Sequence, residues 1–420
     1  MWRSIVIGFL AAAMAFFSAT ASAASGAPSE IKIGTLYASS GPFAALGMPD
    51  YMGLKIWANQ ENAQGGVMVK PYGKRIPIKL VAYDDQSDTA TAATLYNQLI
   101  TQDKVDILVA DGGSVLTSMA VPIAREHKML LIDQSGTGGG FFTSGNPYIV
   151  LTSTPLSTVW PQHVAQFLAQ EGPKLGIKRL AIIYATNEFT GTQANAFKKL
   201  LKDEKAPLQI VYDSGVPTST SNYTVLINDI KAHQPDAVIQ LGYPDNDVAF
   251  LRNLQASGVH FKWLFAMYPG LEFDDLMKTV GAAGMNYVYT YAPPSIVENP
   301  VNSGMTLSQF KAAWTKAYPD TKVAFGFNST AGYTTGMVIQ NALATTDSMD
   351  QAALRKAIFG LSGQLKTLGG EFVLNNDGAQ IGEVVPLAQL VPQGKDQLKF
   401  DIVYPVTQAS VKPIYPAPTH

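Results

Sequence analysis

The chain has 420 residues, 47% of them hydrophobic and only 15% charged, a balance that excludes disorder and points to packed cores. Its formal net charge is −2 and it holds no basic block to follow a phosphate backbone, so nucleic acid is excluded as an expected partner. Cysteine is absent, which excludes disulfides, thiolate catalysis and cysteine-based zinc sites.

The first element in the chain is a secretory leader, predicted over residues 1–23. Arg3 supplies the positive start, Ile5 to Phe17 is nearly all apolar, and Thr20-Ala21-Ser22-Ala23-Ala24 fits cleavage after Ala23. The competing reading is an uncleaved anchor, but the apolar stretch is shorter than the roughly 20 residues that span a bilayer. No cysteine follows to carry a lipid, so a free protein of the periplasm is expected. Roughly 395 residues remain after cleavage, more than one core usually organises, and two domains are expected.

Short β-branched runs then alternate with stretches of helical period. Strands are predicted at Ile31 to Tyr37, Ile76 to Tyr83, Asp106 to Ala110 and Met129 to Asp133, with helices at Pro49 to Glu61, Asp88 to Gln102 and Val115 to His127. A second series follows Pro155. Its strands are Arg179 to Tyr184, Leu208 to Tyr212, Ala237 to Gln240 and Trp263 to Met267. Its helices are Leu156 to Gln170, Thr190 to Lys202, Ser221 to His233 and Asn246 to Ala256, with Pro161 able to shift the start of the first. Two such series predict two α/β lobes with parallel sheets. Beyond Tyr287, Leu307 to Tyr318, Ser329 to Thr345 and Met349 to Phe359 read as helices. Glu371 to Leu374, Val384 to Leu390 and Leu398 to Tyr404 read as strands. Asn375-Asn376-Asp377-Gly378 has turn chemistry, and Pro405 to His420 reads as a surface strap.

A search for catalytic chemistry returns little. There is no nucleophile elbow, P-loop or His-Glu-x-x-His. Gly136-Thr137-Gly138-Gly139-Gly140 is like a dinucleotide loop but has Phe141 where the last glycine belongs, and it follows the fourth strand rather than the first. His127, His163, His233, His260 and His420 are scattered, so no metal site is expected. Asp84-Asp85-Gln86-Ser87-Asp88 lacks the pattern of a calcium loop and reads as turn and N-cap chemistry.

Two loops after consecutive strands carry the ligand expectation: Asp111-Gly112-Gly113-Ser114, and Gln134-Ser135-Gly136-Thr137-Gly138. Ligands of open α/β sheets sit at the carboxyl ends of the strands. A serine at a helix N-terminus offers a hydroxyl beside free N–H groups and the positive end of the helix dipole, a seat for a carboxylate. The plain alternative is that Ser114 only caps its helix.

These features together resemble the leucine/isoleucine/valine-binding protein family of ABC importers, a type I periplasmic binding fold. The resemblance runs from Ile31 to about Leu390. It rests on Ile31-Lys32-Ile33-Gly34, Ser40-Gly41-Pro42-Phe43-Ala44-Ala45-Leu46-Gly47, Asn62-Ala63-Gln64-Gly65-Gly66, Tyr83-Asp84-Asp85 and the two loops. It implies two doubly wound α/β lobes joined by three hinge crossings, near Val150 to Ser153, Tyr287 to Tyr291 and Leu368 to Phe372. Lobe 1 would be residues 27–151 and 291–368, lobe 2 residues 152–290 and 369–408, and 409–420 a tail.

Carried over by position, the resemblance implies that Ser114, Ser135 and Thr137, with Gly113 and Gly136 beside them, meet the ligand's carboxylate and ammonium. Phe189 and Tyr243 would cover it from the second lobe. Tyr268 stands where amino-acid binders of the family carry an acid for the ammonium. Either Asp111, Glu188, Asp245 or Asp247 substitutes, or the ligand is an aromatic or aliphatic acid without an ammonium, with Leu46 and Phe43 against its apolar body. The expected partners are that small carboxylate and the membrane permease of an ABC transporter. A monomer with no cofactor and no catalysis is expected; a periplasmic sensor subunit and an enzyme are the other function classes.

Overall fold

The computed structural model describes residues 26–418. The leader predicted over residues 1–23 lies outside the described residues, as does His420. Two sheets organise the chain.

The first sheet has five parallel strands in the order Ile78–Asp84, Ile31–Tyr37, Ile107–Val109, Leu131–Asp133, Ile149–Leu151. Side chains of a strand point alternately to opposite faces, and here both faces are covered. Ile31, Ile33, Ile107 and Val109 pack with Trp57, Trp314 and Tyr333 on one side. Leu36, Leu108 and Ala110 pack with Tyr96, Leu99 and Leu116 on the other. Each such side chain contributes on the order of 1.5–3 kcal/mol by leaving water.

On the first of those faces, helix Ala44–Asn62 crosses helix Phe327–Thr345 with backbones nearly touching. Glycine makes this possible. A Cβ on Gly332 would lie 1.8 Å from the Asp50 carbonyl oxygen, and one on Gly53 would lie 2.2 Å from that of Ser329. Two segments distant in sequence are thereby held at the top of the first sheet.

The second sheet has seven strands in the order Leu398–Tyr404, Leu387–Pro392, Tyr289–Tyr291, Leu264–Ala266, Ala237–Leu241, Arg179–Ala185, Gln209–Val216. The five drawn from residues 179–291 are parallel, and the last two in sequence close one edge as an antiparallel pair. Leu180, Ala181, Ile182 and Ile183 are all fully buried, as expected of a parallel strand covered on both faces. The chain passes between the sheets three times: after Leu151, after Tyr291, and ahead of Leu387. These are two doubly wound lobes joined by three crossings.

Several elements differ from the sequence expectation, and proline accounts for three of them. Pro77 divides the predicted strand Ile76 to Tyr83, leaving Lys74–Ile76 in a hairpin with Val67–Val69 and starting the sheet strand at Ile78. Pro161 sits at the N-cap of helix Gln162–Gln170, so the segment from Leu156 is irregular. Pro49, taken as the start of its helix, lies within one that already begins at Ala44. The segments Val150 to Ser153 and Tyr287 to Tyr291, expected as crossings, contain strands that belong to the sheets. The tail does act as a strap: Ile414 N–H donates to Gln389 Oε1 at 2.8 Å, and Ala417 N–H to the Lys262 carbonyl at 2.8 Å.

Candidate functional site

The two predicted loops meet at the carboxyl ends of neighbouring strands of the first sheet. Gly113 takes φ +83, a left-handed conformation open to glycine, and turns the chain into helix Ser114–Glu126. Its N–H donates to Ser135 Oγ at 3.0 Å, which ties one loop to the other. Ser114 is the first residue of that helix and not its cap; the cap is Gly113, and no side chain caps it. The Ser114 hydroxyl is buried and has no hydrogen-bond partner. An unpartnered hydroxyl beside the first N–H groups of a 13-residue helix is a seat for an anionic group. Asp88, by contrast, does cap: its Oδ1 accepts from Thr91 N–H at 2.7 Å.

From the first lobe, Leu46, Gly113, Ser114, Ser135, Phe327 and Asn328 line a small void. Trp160, Phe189, Tyr243, Tyr268 and Leu271 line it from the second. Its volume is about 20 Å³, room for about one water molecule. The rings fix one another. Trp160 stands edge-on to Phe189 at 6.1 Å and to Phe327 at 5.4 Å, and Phe43 stands edge-on to Tyr243 at 5.4 Å. Trp160 Nε1–H is held by the Pro155 carbonyl at 2.6 Å. The Tyr243 hydroxyl faces the N–H groups of Val115 and Ser114 and the Ser114 hydroxyl, which partly offset the rise in its pKa caused by burial, but it stops short of a formed hydrogen bond with any of them.

The strongest electrostatic feature of the site is Asp50, on helix Ala44–Asn62. It is fully buried, directly behind two lining residues. Its Oδ2 accepts from Ser135 Oγ at 2.7 Å and from Asn328 Nδ2 at 2.9 Å, while Oδ1 has no partner. Burial pushes its pKa up from 3.8 to about 8 against the opposing pull of those two donors. This arrangement fixes the polarity of the wall. Ser135 turns its only O–H toward Asp50 and accepts from Gly113, so toward the void it presents an oxygen lone pair. Asn328, with its NH₂ on Asp50, presents its carbonyl oxygen on the other side of the amide. The wall therefore accepts hydrogen bonds near Asp50 and donates them at Ser114.

Of the residues singled out from sequence, Ser114, Ser135, Gly113, Phe189, Tyr243 and Tyr268 come together on this void. Thr137 and Gly136 stand behind it. Thr137 Oγ1 pairs with Ser157 Oγ at 2.9 Å, and Gly136 packs against Thr117, with its N–H on Asp133 Oδ1 at 2.7 Å. None of the four acids weighed as an ammonium partner lines the void. Asp247 accepts from Tyr268 N–H at 2.7 Å and is pushed up by burial to about 7. Asp111 is turned under its own loop, where Gly112 N–H donates to it at 2.6 Å. Asp245 is raised by burial and then by Asp275, and Glu188 lies against Gly138 and Gly140.

Sequence reasoning missed Asp50, Trp160, Phe327 and Asn328. Asp50 lies three residues past the glycine that ends the Ser40 to Gly47 motif, and an acid directly after Pro49 in an otherwise uncharged turn was the available signal.

The family of periplasmic binding proteins has a model that matches residues 30–395. The chain belongs to that family. This periplasmic binding protein is 26% identical over 341 residues to Leu/Ile/Val-binding protein homolog 7 of Brucella abortus, which covers 79% of the chain and 81% of the relative. Its fold is similar to that of the branched-chain amino acid transporter substrate binding protein LivJ from Streptococcus pneumoniae, solved with isoleucine. There the TM-score is 0.71 at 18% identity, covering 88% of this chain and 99% of that one. It is equally similar to an R. palustris solute binding protein solved with benzoate, at TM-score 0.70 and 19% identity over 88% of this chain and 95% of that one. These neighbours share the type I periplasmic binding fold. Among the described residues of this periplasmic binding protein, no helix is long and apolar enough to cross a membrane.

Proposed function

We propose that this protein captures a small hydrophobic amino acid, of the branched-chain kind, between its two lobes and delivers it to the permease of an ABC importer. It works in the periplasm after loss of its leader, and it catalyses no reaction. The observation that carries this reading is the polarity of the wall. A donor end at Ser114 stands next to an acceptor end backed by the buried carboxyl of Asp50. A zwitterion needs that pattern at close range, a carboxylate on one side and an ammonium on the other. A buried ammonium is costly without an opposite charge, and Asp50, giving up its proton as the ammonium arrives, supplies one from the first lobe where Tyr268 cannot from the second. The rings and Leu46 then surround an aliphatic side chain, once the lobes part to admit it. The Leu/Ile/Val-binding relative and the isoleucine-bound neighbour agree with this reading.

A second reading has its own support. No acid lines the void itself while five aromatic rings do, which suits a flat carboxylic acid without an ammonium, and one neighbour was solved with benzoate. A thermal-shift series separates the two. The first reading predicts that leucine, isoleucine or valine raises Tm progressively with concentration while benzoate and aliphatic acids do not; the reverse order supports the second.

Both readings seat a carboxylate on Ser114. Ser114→Ala removes one hydrogen bond to a charged group, about 1.5–3 kcal/mol, and is expected to weaken the bound ligand at least tenfold in titration calorimetry with the fold unchanged. Unaltered affinity would take Ser114 out of the site.

A further inference from the structure

We propose that Glu272 is a positioning residue for ligand capture: from the second lobe it caps the N-terminus of a helix in the first, and so holds the two lobes shut. Glu272 follows the short helix Tyr268–Leu271 at the end of strand Leu264–Ala266 in the second sheet. It is buried but does not line the void, so it has no contact with the ligand to make. Its carboxyl instead faces the Asn328 N–H, short of a formed hydrogen bond, in the first turn of helix Phe327–Thr345, which packs on the first sheet. That helix has 19 residues and no acid of its own in its first turn; its Ser329 hydroxyl accepts from Gly326 N–H at 3.2 Å, and the carboxyl at its positive end comes from the opposite lobe.

Gly326, at the cap position, is the second and independent mark of this contact. Its φ of −154 is one any residue adopts, so its backbone does not require glycine. The requirement is space. A Cβ there would lie 2.0 Å from Glu272 Oε2 and 2.9 Å from Oε1. The carboxyl is seated against bare backbone.

The contact is coupled to the ligand wall through one residue. Asn328 turns its N–H toward Glu272, gives its side-chain amide to Asp50, and lines the void. Opening the lobes withdraws Glu272 from Asn328; closing them returns it. Glu272 should therefore act on the lifetime of the complex rather than on the encounter. The groups that face Glu272 are Asp50, Asp275, Asp274 and Tyr268 together with that N–H, and no cation is among them; burial, then Asp50, raises its pKa. A neutral side chain with a carbonyl oxygen can therefore perform the same task, which makes glutamine the conservative variant.

The test uses the full mature protein with L-leucine, and with benzoate as a second probe, in stopped-flow binding and small-angle X-ray scattering. Glu272→Ala is expected to raise koff about tenfold with kon within about twofold, and to enlarge the radius of gyration without ligand. Glu272→Gln should restore koff to within about threefold of wild type. Gly326→Ala, which wedges the same contact from the first lobe, should raise koff as Glu272→Ala does. Unchanged koff and scattering in both alanine variants would overturn the proposal, as would a glutamine variant no better than alanine. If neither probe binds the wild type, the ligand reading fails instead, and the latch is decided by scattering of the unliganded variants alone.

Discussion

Asp50→Asn is expected to weaken leucine binding by about thirtyfold to several thousandfold, the equivalent of the 2–5 kcal/mol lost when one partner of a buried, hydrogen-bonded charge pair is removed. The substitution is nearly isosteric. Its carbonyl oxygen still accepts from Ser135 and Asn328, so the wall keeps its shape and loses only its charge. Binding of an acid that lacks an ammonium would change little, because Ser114 and the rings are untouched.

The same variant has a signature without ligand. Burial raises Asp50 from 3.8 to about 8, so the folded protein keeps this proton where the unfolded chain has released it. The folded state binds more protons across that interval, and the Asp50 contribution to stability is lost as pH rises from about 4 to about 8, by at most about 1.4 kcal/mol per pH unit. Asp111, Asp133, Glu272 and Asp247 are raised in the same direction, first of all by burial, so the wild-type curve alone is not diagnostic. The difference curve is. Urea midpoints of Asp50→Asn should gain on wild type between pH 5 and pH 8, and a constant difference would argue against a protonated Asp50. Bound leucine should flatten the wild-type curve, because its ammonium takes the place of the proton.

Gly332→Ala is expected to destabilise the protein by about 3 kcal/mol or more, at the upper end of what overpacking costs. A Cβ at this position would meet the Asp50 carbonyl oxygen at 1.8 Å and Leu54 N at 2.8 Å, and backbone atoms in two packed helices cannot turn aside as a flexible side chain can. The helices must separate, and separation carries Asp50 away from Asn328. Leucine affinity should therefore fall together with Tm. Gly360→Ala is the control. It lies at the end of helix Gln351–Gly360 with nothing within 4 Å of its Cβ, and the same change there should be neutral or stabilising by a few tenths of a kcal/mol. Equal losses at both positions would show that the close crossing has no special role.

Local signals in the sequence carried the architecture well. Strand Ile31–Tyr37 has the predicted ends because its apolar run is bounded on both sides by polar and turn residues. The loops around Ser114 and Ser135 stood out because glycines and hydroxyls follow buried strands directly. What the sequence hides is juxtaposition. Asp50 lies 85 residues from Ser135 and 278 from Asn328, and nothing local to any of them announces that they share one carboxyl oxygen. Trp160 sits in a proline-bounded irregular segment that periodicity reads as the start of a helix. Thr137 shows the opposite failure: it has the right residue type beside the right loop, yet its hydroxyl is taken by Ser157.

Leucine and 4-methylpentanoate have the same carbon skeleton and carboxylate and differ only in the ammonium. Titration of the mature protein with both, by calorimetry at pH 7, isolates the role given to Asp50. Leucine should bind with micromolar Kd or tighter, and 4-methylpentanoate at least about thirtyfold more weakly. Equal or tighter binding of the acid without its ammonium would contradict the account.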